Sequence, residues 1–121
     1  MPNTIEIVCE IKQDGVPVPG SPFIRRVTLD EVQGFAYEIA SGAGYATLPV
    51  TASDTLRLLV VSPTYATSFR LNGQSSASVD LNAGGLLILV DANLTAGAST
   101  NATASNSSGS TAVLTGYGGG T

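Results

Sequence analysis

The sequence predicts an all-β domain: a β-sandwich of jelly-roll or Ig-like type, with about eight short antiparallel strands and little or no helix. Three observations carry this expectation. Turn signals recur about every 8–12 residues, the spacing of sandwiches and barrels. The segments between them alternate apolar and polar residues or are rich in β-formers. Two segments, Leu56–Val61 and Leu86–Val90, are apolar throughout or nearly so, which suits strands covered on both faces. At 121 residues the chain matches one domain, 1–121, with one core.

The elements follow in order. From Thr4 to Lys12, Ile5, Ile7, Cys9 and Ile11 share one face and Glu6, Val8, Glu10 and Lys12 the other, a half-buried strand with one wet side. Cys9 is expected to be a buried, small, apolar thiol. Asp14-Gly15 is a turn signal, and Val16-Pro17-Val18-Pro19 must be extended and cannot be a central strand, because proline offers no ladder donor. Phe23–Leu29 is the second strand, with Arg25 and Arg26 on opposite faces.

Residues 28–40 admit two readings. Thr28-Leu29-Asp30-Glu31 fits a capping box, and Val32, Phe35, Ala36 and Ile39 have helical spacing. Against that, Phe35, Tyr37 and Ile39 alternate, and Gly34 costs a helix ~1 kcal/mol. The preferred reading is a turn at Asp30-Glu31 and a strand from Phe35 to Ala40. Tyr45–Val50 is extended, with Pro49 marking an edge. Thr55–Ser62 is a central strand. Thr67–Leu71 and Ser76–Leu81 flank Asn72-Gly73, a strong hairpin signal. Leu86–Val90, Ser99–Ser105 and Thr111–Tyr117 complete the set.

Composition narrows the function classes. Charged residues are 12%, about half the usual ~25%. One Cys excludes a disulfide scaffold, and a net charge of −4 argues against a nucleic-acid partner. The longest apolar run is far short of the ~20 residues of a membrane helix, so no membrane partner is expected. Met1-Pro2-Asn3-Thr4 shows neither the basic nor the apolar part of a secretory signal. The Asn-X-Ser/Thr sequons at Asn93, Asn101 and Asn106 lie in a stretch so rich in Asn, Ser and Thr that chance explains them.

Chemistry finds little to work with, and the expectation is a non-enzyme without cofactor or metal. With no His, neither a Ser-His-Asp nor a Cys-His site can form, and zinc lacks its ligands. Glu6 and Glu10 share a strand face but stand ~13 Å apart at strand rise, beyond the ~5–9.5 Å of a glycosidase pair. Calcium held by loop aspartates such as Asp54, Asp80 and Asp91 stays open, although no Asp-X-Asp-X-Asp-Gly pattern points to it. The four Tyr and three Phe are scattered and suggest no sugar- or base-stacking platform.

Charge is distributed unevenly, and no charged residue follows Asp91. An uncharged strand makes a sticky surface on a free monomer and is cheap to desolvate. Ala92–Thr121 is therefore expected to be buried between subunits, with Val113, Leu114 and Tyr117 as interface candidates. Arg25 and Arg26, the one basic pair, are candidates for an inter-subunit ion pair.

The low charge, the Ala/Gly/Ser/Thr bias, Leu56–Ser62 followed by Ser68-Phe69-Arg70-Leu71-Asn72-Gly73, and the ending Ser105–Tyr117 together resemble small β-rich virion proteins of tailed bacteriophages. Within that group the chain looks most like a head decoration, or cement, protein. The resemblance implies a β-sandwich homo-oligomer, a trimer by preference, made in the host cytoplasm and carried on the virion's capsid surface. There it would bind the major capsid protein and bridge its copies. A tail, fibre or baseplate component binding a host receptor or glycan is the alternative. A cellular carbohydrate-binding module would call for an aromatic platform, and usually a secretion signal, that the sequence does not display.

Overall fold

The computed structural model describes residues 2–50, 55–95 and 101–121. Its strands are β1 (Asn3–Cys9), β2 (Lys12–Gln13), β3 (Val16–Pro17), β4 (Phe23–Leu29), β5 (Glu31–Ile39) and β6 (Ala46–Thr47). They continue with β7 (Leu56–Pro63), β8 (Thr67–Leu71), β9 (Val79–Leu81), β10 (Leu87–Leu94), β11 (Ala102–Ser105) and β12 (Ala112–Gly120). No helix occurs among the described residues. β2, β3 and β6 have only two residues each; the others match the short strands expected from the turn spacing.

Three layers result. One sheet has the order β10-β7-β12-β5 and the other β6-β11-β8-β9, all pairs antiparallel. Between them lies a core that includes Ile39, Leu59, Val61, Phe69, Ala104 and Leu114. The other face of the first sheet is covered by the ribbon β1-β4, where Val27 and Leu29 pack with Leu58 and with the half-buried Ile5, Ile7, Val90 and Tyr117. The architecture is thus a β-sandwich with an added two-stranded layer.

Cover on both faces explains the apolar run of β7. Leu58 and Leu59 are neighbours in sequence, both fully buried, and each belongs to a different core. A bulge then breaks the alternation. Gly119 opposes Leu58 and Gly120 opposes Leu56, so Arg57 is the extra residue. Past it, Leu56 joins the sandwich core with Leu59 and Val61. The companion expectation for Leu86–Val90 needs correction. β10 lies at the sheet edge, its residues 87–90 are only half-buried, and Leu86 is exposed.

Residues 28–40 resolve in favour of strand. β4 runs to Leu29, the chain bends at Asp30, and β5 begins at Glu31, four residues earlier than expected. Pairing with β12 over its whole length, Glu31↔Gly120 to Ile39↔Ala112, decides against the helix. Asp14-Gly15 and Asn72-Gly73 both have positive φ at both residues, as tight hairpin turns require. The first closes the two-residue hairpin β2-β3. The second does not close β8-β9 directly, because the ladder starts only at Phe69↔Val79. The intervening loop is held by Ser78, whose Oγ accepts from the Leu71 N–H at 3.1 Å and donates to Gln74 Oε1 at 2.6 Å. The strand expected over Ser99–Ser105 is β11 from Ala102 onward; residues 99 and 100 lie outside the described residues.

The uncharged C-terminal segment finds part of its cover within its own chain. β12 is an inner strand of its own sheet, hydrogen-bonded to β7 on one side and β5 on the other. The chain end is fixed by a reciprocal backbone pair between Thr55 and Thr121, at 3.1 and 3.0 Å. Its small residues serve close approach. A Cβ on Gly116 would strike the Val60 carbonyl oxygen and, at 2.7 Å, the Phe35 ring; one on Gly119 would strike the Glu31 carbonyl oxygen. Within β12 the absence of charge matches burial inside one chain, whereas Ser107–Thr111, equally uncharged, are exposed. Asn106 illustrates the same economy of polar groups. Fully buried, it donates from Nδ2 to the carbonyls of Ile39 (3.0 Å) and Ser110 (2.5 Å), and its Oδ1 accepts from the Ser108 N–H (2.9 Å). With Asn101 also buried, the sequons at 101 and 106 offer no accessible amide.

Candidate interaction surface

The ribbon β1-β4 is only half supported. Its base, Ile5, Ile7, Val27 and Leu29, rests on the first sheet. Beyond that, no residue from Val8 to Arg26 is buried, and only Cys9, Val18 and Ser21 are half-buried. The far end is nevertheless well formed. The Val18 N–H donates to the Ile11 carbonyl and the Ser21 N–H to the Val18 carbonyl, both at 3.0 Å, while the Ile11 N–H reaches Ser21 Oγ at 2.8 Å.

This projecting end concentrates apolar surface. Val8, Ile11, Val16, Phe23 and Ile24 are exposed there, Val16 at 65% and Val8 at 57%; elsewhere among the described residues only Tyr65 and Leu86 are large, apolar and exposed. At the tip, Gln13, Asp14 and Val16–Pro19 line a shallow depression of about 310 Å³. Two-stranded ribbons are marginal in water by themselves, and clustered exposed apolar side chains mark surfaces that bind something. Charge is balanced along the ribbon. Arg26 Nε meets Glu6 Oε2 at 2.7 Å and Lys12 Nζ meets Glu10 Oε1 at 3.1 Å, all exposed, so each pair contributes ~0–1 kcal/mol.

The sequence-derived candidates fall into two places. Arg25 and Arg26 both lie on the exposed ribbon; Arg25 Nη1 donates to the Ile24 carbonyl at 2.8 Å. Val113, Leu114 and Tyr117 lie on β12 in the body. Leu114 is fully buried in the sandwich core and has no surface to offer a partner, which removes it as an interface residue. Tyr117 is half-buried beneath the ribbon base, and Val113 is half-buried, its N–H donating to Thr64 Oγ1 at 2.9 Å. Cys9 is half-buried, not buried, because it stands where the ribbon leaves its support. The exposed apolar ribbon residues are only weakly marked in the sequence. Val8 interrupting the polar row Glu6, Glu10, Lys12 was the available signal.

Among the described residues no group of three or more Cys, Asp or Glu is placed to hold a metal ion, and no helix is long and apolar enough to cross a membrane. Asp80 accepts from Ser68 Oγ at 2.6 Å and Asp91 pairs with Arg57; Asp54 lies outside the described residues. A scan against protein-family models found no match, and searches of curated proteins and of solved structures found none.

Proposed function

We propose that this protein is a non-catalytic assembly module, a phage head decoration (cement) protein that binds the outer capsid surface and bridges major capsid proteins as a homo-oligomer. The observation that supports it is the projecting ribbon, which carries apolar side chains that its own chain leaves uncovered. In this reading the tip, with Ile11, Val16 and Phe23, seats on the shell. The all-β body supplies a rigid base and a surface poor in charge. The test is co-sedimentation with expanded, empty capsids assembled from the major capsid protein encoded nearest its gene. Wild type should co-sediment and raise the temperature at which the shells open; Val16→Asp and Phe23→Ser should do neither while remaining folded. Absence of capsid binding by the wild type would overturn the reading.

A second reading, a tail or fibre component binding a host glycan, draws on a different spot. The Arg70 guanidinium stacks 3.8 Å from the Tyr45 ring centroid, and Arg70 pairs in register with Thr103, which pairs with Thr47. An aromatic ring beside a cation and hydroxyls suits a sugar. Glycan-dependent binding to host cells, lost in Tyr45→Ala, would favour it over the capsid.

A further inference from the structure

We infer that the outer face of the ribbon is a self-complementary contact for a second copy of this chain, formed about a two-fold axis parallel to the strands. The inference rests on the reading of the protein as an assembly module and names the partner of one of its faces. The inner residues Ile5, Ile7, Val27 and Leu29 pack on the sheet, so alternation turns Thr4, Glu6, Val8, Ile24, Arg26 and Thr28 outward. They form three cross-strand rows: Thr4↔Thr28, Glu6↔Arg26 and Val8↔Ile24. Each row joins unlike or mutually compatible partners, acid with base, Val with Ile, Thr with Thr.

That pattern decides the occupant and the symmetry. A two-fold axis along the strands lays β1 of one copy over β4 of the other at the same height. Glu6 then meets the second copy's Arg26, Arg26 meets its Glu6, and Val8 meets its Ile24. The charged row stands between the threonine row and the apolar row, and in each the second copy presents a complementary partner, as an isologous interface requires. A two-fold axis across the strands stacks β1 on β1; placed at the Val8 row it brings Glu6 against Glu10, and placed at the Glu6 row it brings Glu6 against Glu6 and Arg26 against Arg26, like-charge contacts that oppose association. The face is also small. Seven residues per strand give less than the ~800 Å² per partner of a standard interface. Association is therefore weak in free solution and becomes effective when copies are held close together on a shell.

The experiment is sedimentation equilibrium on the full chain, from micromolar to near-millimolar concentration. Wild type should show a monomer–dimer equilibrium. Glu6→Arg alone and Arg26→Glu alone should each weaken it about tenfold or more, since like charges then face each other across the contact. An equimolar mixture of the two variants should associate as wild type does, because each altered side chain then meets its opposite. Val8→Asp should weaken association in every combination. These side chains are exposed, so thermal melts should confirm that each variant remains folded. A wild type monomeric throughout, single variants that dimerise normally, or a mixture that fails to recover would each overturn the inference. Capsid co-sedimentation separates the two ideas. Capsid binding without dimerisation removes only this contact, whereas dimerisation without capsid binding removes only the proposed function.

Discussion

The last strand and the projecting ribbon make opposite use of their side chains. β12 has no charge, small residues and four glycines, and it is an inner strand of the sheet β10-β7-β12-β5. The ribbon and its end carry Glu6, Glu10, Lys12, Arg25 and Arg26, and they hold five of the seven large apolar side chains that stand exposed among the described residues. From composition alone, the uncharged strand looks adhesive and the charged ribbon looks merely solvated. Layer order reverses this. A strand between two neighbours and two covering layers needs no charge, whereas a ribbon that outruns its support leaves its alternate apolar residues in water.

The comparison can be broken most severely at β12. Gly116→Val places its Cβ against the Val60 carbonyl and the Phe35 ring. Backbone cannot yield as a flexible side chain can, so we expect a loss of at least ~3 kcal/mol, enough to unfold much of the population. Urea titration followed by circular dichroism measures it; a loss below 1 kcal/mol would mean that the sheet is looser than described. A paired test at β7 follows. Leu58→Ala and Leu59→Ala should each cost ~2–5 kcal/mol, because each empties a different core. If only Leu59→Ala is costly, the ribbon base is not a true third layer.

Asn106→Ala comes next, at ~1–3 kcal/mol, since the carbonyls of Ile39 and Ser110 lose their donor. Thermal melts would show it, and a neutral result would mean that water replaces the amide. The smallest effect on stability belongs to the ribbon. Ile24→Ser should change stability by no more than ~0.5 kcal/mol and still weaken self-association. Hydrogen exchange should order the regions in the same way, with β12 amides the slowest and those beyond Val8 in the ribbon the fastest.

Much of the fold was legible because it depends on local rules. The alternation at Ile5-Ile7, the apolar run of β7 and the turn pairs Asp14-Gly15 and Asn72-Gly73 each state a backbone conformation within a few residues. Phe23–Leu29 and Thr67–Leu71 coincide with their strands end to end. The interaction surface was far less legible. Arg26 stood out by charge and does lie on the ribbon, but Val8 and Ile24 carry the same alternation as buried residues do.

By itself, then, the sequence determined that the chain would be built of short β-strands joined by tight turns. Those choices arise from side-chain period and from the φ preferences of Gly, Asn and Pro, which act over a few residues. Only the tertiary structure decided which strands lie inside and which apolar faces remain open. Whether Leu114 or Val8 meets water depends on what is stacked above it, and that neighbour comes from tens of residues away. Alternation specifies that a strand has two faces; packing of distant layers specifies which face is covered.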